Sequence, residues 1–336
     1  VAQYGTSTSV EGYACDRWNY LRSGVNEELT LSQHALTSSD AGPWEAGLRN
    51  SIHLQNGNQT GGAGASDYTI IRYKVEAQDL ATSGWDYTSS SSYLTFSYWI
   101  KSSVAQNFYS YIRSHDGTAK IFTWETGALS ANTWKKVIVR MPGDSGITVN
   151  NDNGIGLMIT ITPYWGGTWT DNSVTLNTWR TYDSALRTPD YTTTWWTTND
   201  ATLEITGIQL EVGSEPTPFE HISYAEQLRR CQRYFVYLAH DNNNRLMGGY
   251  KRFDDNIYWN IFTPVPMRVA PSPTLTDGGV LTNFQSTFTA VQSSPTIAEW
   301  ETLKGQGLLN LQTTWSSTHE WVPSWESYVL YLSAEL

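Results

Sequence analysis

Alternation at period two runs through most of this chain, and a polypeptide patterned in that way favours half-buried β-strands over helices. In residues 93–101, Leu94, Phe96, Tyr98 and Ile100 alternate with Tyr93, Thr95, Ser97 and Trp99. Val137, Val139 and Met141 share a face until Pro142-Gly143 stops the run, and Leu157, Ile159 and Ile161 do the same before Pro163. Leu203 aligns with Ile205, but Ile208 then aligns with Leu210 and Val212. A β-bulge at Gly207 produces such a change of parity. Short strands parted by Gly-, Asn-, Asp- and Ser-rich turns predict an all-β chain, with a jelly-roll sandwich over residues 1–218.

One helix is expected. Ser223 and Glu226 fit a capping box, and Tyr224, Leu228, Cys231 and Phe235 then form an apolar stripe opposite Arg229, Arg230 and Gln232. Pro216 and Pro218 make the approach to it rigid. A chain of 336 residues exceeds what one core usually organises, and the β pattern resumes in 255–275 and 325–336. The expected layout is therefore a sandwich over 1–218, a Pro-bounded connector and helix over 219–235 that docks the second domain, and a smaller C-terminal β-sandwich over 236–336.

Charged residues make up only 16% of the chain and aromatic residues 13%, the reverse of a disordered composition. The net charge of −11 argues against nucleic acid or an anionic membrane as partner, and among sugars it favours neutral ones. No run of about 18 apolar residues is present to span a bilayer. The chain opens on Val1 without Met, which fits a processed or truncated chain. Cys15 and Cys231 are too few for a disulfide framework and read as two buried thiols.

Catalytic motifs are weak. Pro142 to Gly146 (PGDSG) would place a nucleophile at Ser145, but His34, His53 and His115 lack the sequence context of its base, and a turn explains the string. His319-Glu320 has no second His at zincin spacing, and no Cys-x-x-Cys exists. No cofactor is implied. A structural Ca²⁺ is compatible with a jelly roll, and residues 150–154 (NNDNG) offer oxygens, although an Asn/Asp turn accounts for them. The Gly-rich 61–66 segment follows no strand–helix unit that would cradle phosphate. Glu125, beside Trp124, is the acid to watch for glycoside hydrolysis.

The aromatic surplus carries the functional expectation. Eleven Trp precede the helix, and Trp44, Trp85, Trp165, Trp169, Trp179, Trp195 and Trp196 fall in turn-rich text, unlike Trp18 and Trp134, which read as core. Flat rings stack on the C–H faces of sugars while neighbouring polar groups bond hydroxyls. Residues 163–172 (PYWGGTWTDN) are the first candidate. The candidate carbohydrate-binding set is Trp165, Trp169, Trp44, Trp195, Trp196, Tyr164 and Asp171.

Residues 207–235 (GIQLEVGSEPTPFEHISYAEQLRRCQRYF) resemble a segment that recurs in tail-fibre and related virion proteins of tailed bacteriophages and prophages. The similarity continues in GYACDRW (12–18), TPVPMRVAP (263–271) and the terminal SAEL. The resemblance implies a carbohydrate-binding-module-like jelly roll, then a helix and a C-terminal β-domain, displayed on a virion as a tail fibre or head spike. It also implies a homotrimer, contacts with other virion proteins, and a host surface glycan as ligand. The alternatives are a virion polysaccharide depolymerase and a purely structural head-decoration or fibre module. Asp16, Arg17, Trp18, Gln209, Glu211, Cys231, Gln232, Arg233, Met267 and Arg268 match the anchors and read as architectural, with Asp16–Arg17 and Glu211 as pairing partners at a sheet or domain joint.

Overall fold

The computed structural model describes residues 3–239 and, beyond them, 249–253, 256–275, 280–282, 287–289, 296–301, 306–312, 321–322, 324–326 and 329–336. The chain divides into two compact units, one ending at His221 and one beginning at Ile222. The Pro-rich approach thus goes with the first unit and the helix with the second.

The strands of the first unit are β1 (Ser7–Thr8), β2 (Gly12–Cys15), β3 (Trp18–Ser23), β4 (Thr30–Ala35), β5 (Asn50–Gln55), β6 (Tyr68–Glu76), β7 (Tyr93–Ser102), β8 (Tyr109–Ser114), β9 (Lys120–Glu125), β10 (Lys135–Pro142), β11 (Ile155–Trp165), β12 (Trp179–Thr181) and β13 (Thr202–Val212). They form a six-stranded sheet, β1-β4-β5-β13-β7-β10, and a seven-stranded sheet, β12-β9-β8-β11-β6-β3-β2. This is the expected all-β sandwich of jelly-roll type. The packing of one sheet on the other follows from the alternation, because each strand has one apolar face to bury against the facing sheet.

Register identifies the inward rows. In the seven-stranded sheet, Tyr20, Ile71, Ile161, Ser110 and Trp124 lie in one row, and Trp18, Tyr73, Ile159, Ile112, Phe122 and Trp179 in the next. Leu31, Leu54, Leu203, Ile52, Ile205, Ile100 and Phe96 face them from the other sheet and join one buried cluster. Each large apolar side chain sequestered there contributes roughly 1.5–3 kcal/mol.

At Gly207 the pairing of β13 with β7 slips by one residue between Thr206 and Gln209, the expected bulge. Gly207 has φ +60°, the left-handed region that other residues enter at a cost. The bulge keeps Gln209 and Glu211 on the outer face. There Glu211 accepts from Thr217 N at 2.9 Å and Thr217 Oγ1 at 2.6 Å, and Gln209 Oε1 accepts from Glu220 N at 2.9 Å. Burial pushes the Glu211 carboxyl up, but the bonds from Thr217 and Gln209 prevail and hold it below its ordinary value. The QLE and TPFE motifs are therefore two halves of one clasp within the first unit, and Glu211 pairs with a hydroxyl and an amide.

Two one-turn helices, α1 (Ala77–Ala81) and α2 (Thr194–Thr197), were not foreseen. In the second unit, α3 (Tyr224–Gln232) starts where Ser223 Oγ accepts from Glu226 N at 3.3 Å, the anticipated cap. The helix ends before Phe235, which opens the strand Phe235–Ala239, and Tyr224 is 68% exposed. The proposed four-residue stripe is thus a shorter one, and Cys231 is its buried member. The strand Phe235–Ala239 pairs with Val329–Ser333, which also pairs with Ser272–Leu275. Arg268 donates from Nε to Ala334 O at 2.7 Å and from Nη2 to Glu335 O at 2.9 Å, while its amide bonds Arg233 O at 2.8 Å. The CQRYF, PMR and AEL anchors are therefore one packed knot. Among the described residues this unit also has a sheet of five short strands and another of three.

Candidate functional site

The outward rows of the seven-stranded sheet bring together residues that no single stretch of sequence groups. Across β6, β11, β8 and β9, one row holds Arg72, Thr160, Tyr111 and Thr123, and Asn19 of β3 extends it. The next row holds Lys74, Met158, Arg113, Ile121 and, on β12, Arg180. On the other side Thr162 pairs with Tyr109, and Tyr109 with Glu125. Beyond a bulge in β11, Trp165 points to the same face opposite Tyr68.

This face has a buried floor under half-exposed long side chains. Thr160, Thr162, Tyr111 and Ile121 are buried, whereas Arg72, Arg113, Tyr109 and Arg180 are partly accessible. Among the described residues, Arg72 Nε, Arg113 Nε, Arg180 Nε, Trp165 Nε1 and the hydroxyls of Thr160 and Thr162 are buried and have no hydrogen-bond partner within the protein. A buried polar group left unpaired costs about 1–3 kcal/mol, so such groups are usually few and seldom adjacent. Six lie on this sheet face and none on the outward face of the other sheet, while Tyr20, Thr69 and Ser110 carry such atoms on the inward side of the same sheet.

Residues 166–190 frame the face. Arg187 lies 4.4 Å from the ring centre of Trp165 and 4.5 Å from that of Trp169, and its Nε donates to Tyr182 OH at 3.2 Å. Tyr182 in turn lies 3.7 Å beneath the Arg113 guanidinium. Thr123 Oγ1 and Arg180 Nη2 hold Arg187 O at 2.8 and 2.9 Å, fixing the loop to the strands. Trp169 contacts Trp165 at 5.6 Å between ring centres and Tyr68 at 6.4 Å. His115, just past β8, is pushed down to about 4, first by burial and then by Arg113, Arg72 and Lys74.

The sequence-derived candidates divide sharply. Trp165 and Trp169 are on this face, Trp165 almost fully buried and Trp169 half-exposed, so the 163–172 segment borders it. Asp171 is an exposed turn residue that accepts from Ser173 N at 2.7 Å. Tyr164, Trp195 and Trp196 are corrected to core. Tyr164 stacks inward on Trp196 at 4.9 Å, and both tryptophans of α2 have no exposed surface. Their indole N–H groups bond Thr202 O at 3.1 Å and Gly62 O at 2.9 Å, so neither ring offers a face to a ligand. Trp85 and Trp179 are likewise buried in the main cluster. Trp44 lies on the other side of the unit, its ring covered by Arg49 at 3.8 Å. Trp134, read as core, instead donates to Asp40 Oδ1 at 2.9 Å and lies under Lys101 at 4.6 Å.

Sequence reading missed Arg72, Arg113, Thr160, Thr162, Tyr109, Tyr111 and Arg180. A signal existed in the outward positions of 109–114 and 158–162, where aromatic, Arg and Thr side chains replace the mixed charges of a solvated sheet.

The outward face of the six-stranded sheet has paired its polar groups. Glu204 accepts from Ser51 Oγ at 2.8 Å, meets Lys101 Nζ at 2.9 Å and has His34 Nδ1 at 3.0 Å. Lys101 also reaches Asp40 at 3.0 Å. Burial raises the Glu204 carboxyl, yet His34, Lys101 and Ser51 together hold it below its ordinary value. A cleft of about 260 Å³ on the same side is lined by Trp99, Lys136, Gly207, Phe219 and His221 among others, next to the clasp.

Among the described residues no group of three or more His, Cys, Asp or Glu side chains could hold a metal ion. Residues 150–154 form an Asx turn in which Asp152 Oδ1 accepts from Gly154 N at 2.9 Å. Ser145 lies in an exposed turn closed by Gly146 N on Asp144 Oδ1 at 2.8 Å. Glu125 accepts from Asn107 at 2.9 Å at the rim of the seven-stranded face. Cys15 and Cys231 are both thiols, the former pushed up to about 11 by burial and by Asp16. His319 and Glu320 lie outside the described residues. No described helix is long and apolar enough to cross a membrane.

No family model matches the sequence, and no curated protein matches it. Among solved structures, the chain is similar to the enzymatically active domain of tailspike protein 4 of bacteriophage CBA120 at 10% identity and a TM-score of 0.33, over 63% of this chain and 22% of that one. It is similar to the N-terminal cellulose-binding domain of β-1,4-glucanase C from Cellulomonas fimi at 10% identity and a TM-score of 0.30, covering 63% and 97%. The family 11 carbohydrate-binding module from Clostridium thermocellum, in complex with a mixed-linked tetrasaccharide, overlaps at 13% identity and a TM-score of 0.26, covering 61% and 95%. Overlaps this loose carry no argument about the site, and the fold rests on the strand order and registers above.

Proposed function

We propose that this is a non-catalytic fibre or spike protein of a bacteriophage or phage-like particle, carried on the virion surface, that binds a host cell-surface polysaccharide along the outward face of the seven-stranded sheet. The observation that carries the binding site is the adjacency of six unpartnered buried polar atoms to the Trp165–Trp169 pair. Hydroxyl-rich sugars supply acceptors and donors for such polar groups and a C–H face for the half-exposed Trp169, which Trp165 buttresses from below. The virion role rests on the fibre-protein motifs, whose residues pack as architecture and leave this face to recognition. Assembly as a trimer belongs to the same reading, and a monomeric mass by light scattering at micromolar concentration counts against it.

Trp165 is unsuited to a clean test, since truncating a buried Trp costs about 3–5 kcal/mol of stability. Thr160→Val and Thr162→Val separate folding from binding. Thr160→Val removes a hydroxyl that bonds nothing in the protein and Thr162→Val one that neighbours the Tyr191 hydroxyl, so thermal unfolding should hold or rise in the first while retention on host polysaccharide falls in both. Trp169→Ala, at a half-exposed position, should weaken retention likewise. Unchanged retention by all three variants removes the site from this face. New reducing ends released from host capsule would replace the non-catalytic reading with a depolymerase.

A further inference from the structure

The net charge of −11 pointed away from acidic ligands, yet the charges are not spread evenly. The outward face of the seven-stranded sheet collects Arg72, Lys74, Arg113 and Arg180 within two adjacent rows, and Arg187 overhangs them. Elsewhere in this unit four cations are matched by acids, Arg22 by Glu28, Lys101 by Asp40 and Glu204, Lys120 by Asp144 and Arg140 by Glu215, while Arg49 rests on Trp44 and, among the described residues, Lys135 and Lys136 form no ion pair. Among the described residues, Arg72, Arg113, Arg180 and Arg187 form no ion pair. Arg113 rests on Tyr182, Arg187 on two indoles, and Lys74 Nζ donates to the Tyr13 hydroxyl at 3.3 Å. Asp183 is near enough to favour the charge on Arg180 without bonding it, and burial opposes that charge more strongly. Of the acids near the face, Glu125 and Asp190 are held at the opposite rim by Asn107 and by Thr170 with Asn172, and Glu76, at the end of β6, is buried and accepts from Gln78 Nε2 at 2.6 Å.

Four guanidinium groups kept without carboxylate partners on an acidic protein are arranged for an anion from outside. Guanidinium is suited to this because its planar fork meets carboxylate, sulfate or phosphate with paired bonds, and it is more weakly hydrated than ammonium. The partly accessible ends of Arg72 and Arg113, on the strands either side of β11, are the groups such an anion would engage.

We infer that the ligand of this face is an acidic polysaccharide, whose anionic substituent is bound between Arg72 and Arg113 while its sugar ring lies toward Trp169. The inference rests on the glycan-binding reading of the face and specifies the chemistry of its ligand.

The test immobilises uronate-, sulfate- and phosphate-bearing polysaccharides beside their carboxyl-reduced, desulfated and dephosphorylated counterparts, and measures retention of the full chain. Retention of at least one acidic polymer is expected, with about a tenfold or greater loss on its neutralised counterpart and a comparable loss as NaCl rises from about 50 to 500 mM. Which acidic polymer is retained identifies the substituent. Arg72→Gln and Arg113→Gln should each weaken it about tenfold by removing a charge-assisted contact, while Arg140→Gln, on the other sheet, should not. Circular dichroism and unfolding midpoints establish that each variant is folded, and Arg72→Lys should restore part of the binding. Equal retention of neutralised polymers, lost in Thr160→Val and Trp169→Ala but not in the arginine variants, overturns the acidic ligand and leaves the site standing. Acidic-polymer binding indifferent to all of these substitutions overturns both, as does no retention of any polymer.

Discussion

His115 shows how a single side chain reports on its surroundings. Its imidazole is pushed down to about 4, mainly by burial and secondarily by Arg113, Arg72 and Lys74, against an ordinary value of 6.5. The folded protein thus holds a neutral ring that the unfolded chain protonates more readily. Stability from this group is complete above about pH 6.5, declines as the pH falls and the unfolded state takes up protons, and is gone below about 4. The melting temperature should fall between pH 7 and 4, and His115→Gln should flatten that decline by on the order of 1 kcal/mol after allowance for solvent screening. A decline as steep in the variant refutes the assignment. At this scale sequence was a partial guide. It singled out Trp165 and Trp169, which border the seven-stranded face, but the same turn-rich setting also surrounds Trp195 and Trp196, which are fully buried in the core. Composition around a Trp cannot tell a ring that caps a core from one that faces a ligand, because both leave a loop.

Among elements, β13 was the most legible. The apolar parity switch across Gly207 located the bulge, since a one-residue slip must exchange faces. Its purpose became visible only with the partner segment in place, where Gln209 and Glu211 receive Thr217 and Glu220. Gly207 is the fulcrum. At φ +60° a Cβ there would meet Leu48 Cδ1 at 2.7 Å and Trp99 Cδ1 at 3.1 Å. Gly207→Ala should therefore destabilise the first unit by about 1–2 kcal/mol from the left-handed backbone alone, and by more if Leu48 cannot yield. Chemical denaturation of the variant measures this, and an unchanged midpoint would mean that the bulge relaxes freely. The seven-stranded face escaped the same kind of reading for a physical reason. Its rows combine side chains from β6, β8, β9, β11 and β12, and register between strands distant in sequence is not written in any one of them.

For the whole molecule, all-β architecture followed directly from alternation, whereas the distribution of charge did not. A net charge is a sum, and the sandwich sorts its terms, pairing Lys101 and Arg140 with acids on one sheet and gathering Arg72, Lys74, Arg113 and Arg180 on the outward face of the other. That face and the core beneath it belong entirely to the unit ending at His221, and every residue of the main buried cluster lies between Ala14 and Leu210. The clasp of Gln209 and Glu211 onto residues 217–220 also closes within it. A fragment of residues 1–221 therefore has its own core and no severed strand, the conditions for folding alone. It should unfold in one cooperative transition and retain polysaccharide per protomer within about threefold of the full chain, because no residue of the face is lost. Any larger difference should reflect avidity from assembly, which linking several protomers adds without a new contact. Calorimetry and retention measured on monovalent fragment and full chain decide the matter. A fragment that folds but has lost binding per site would place a necessary part of the site beyond His221.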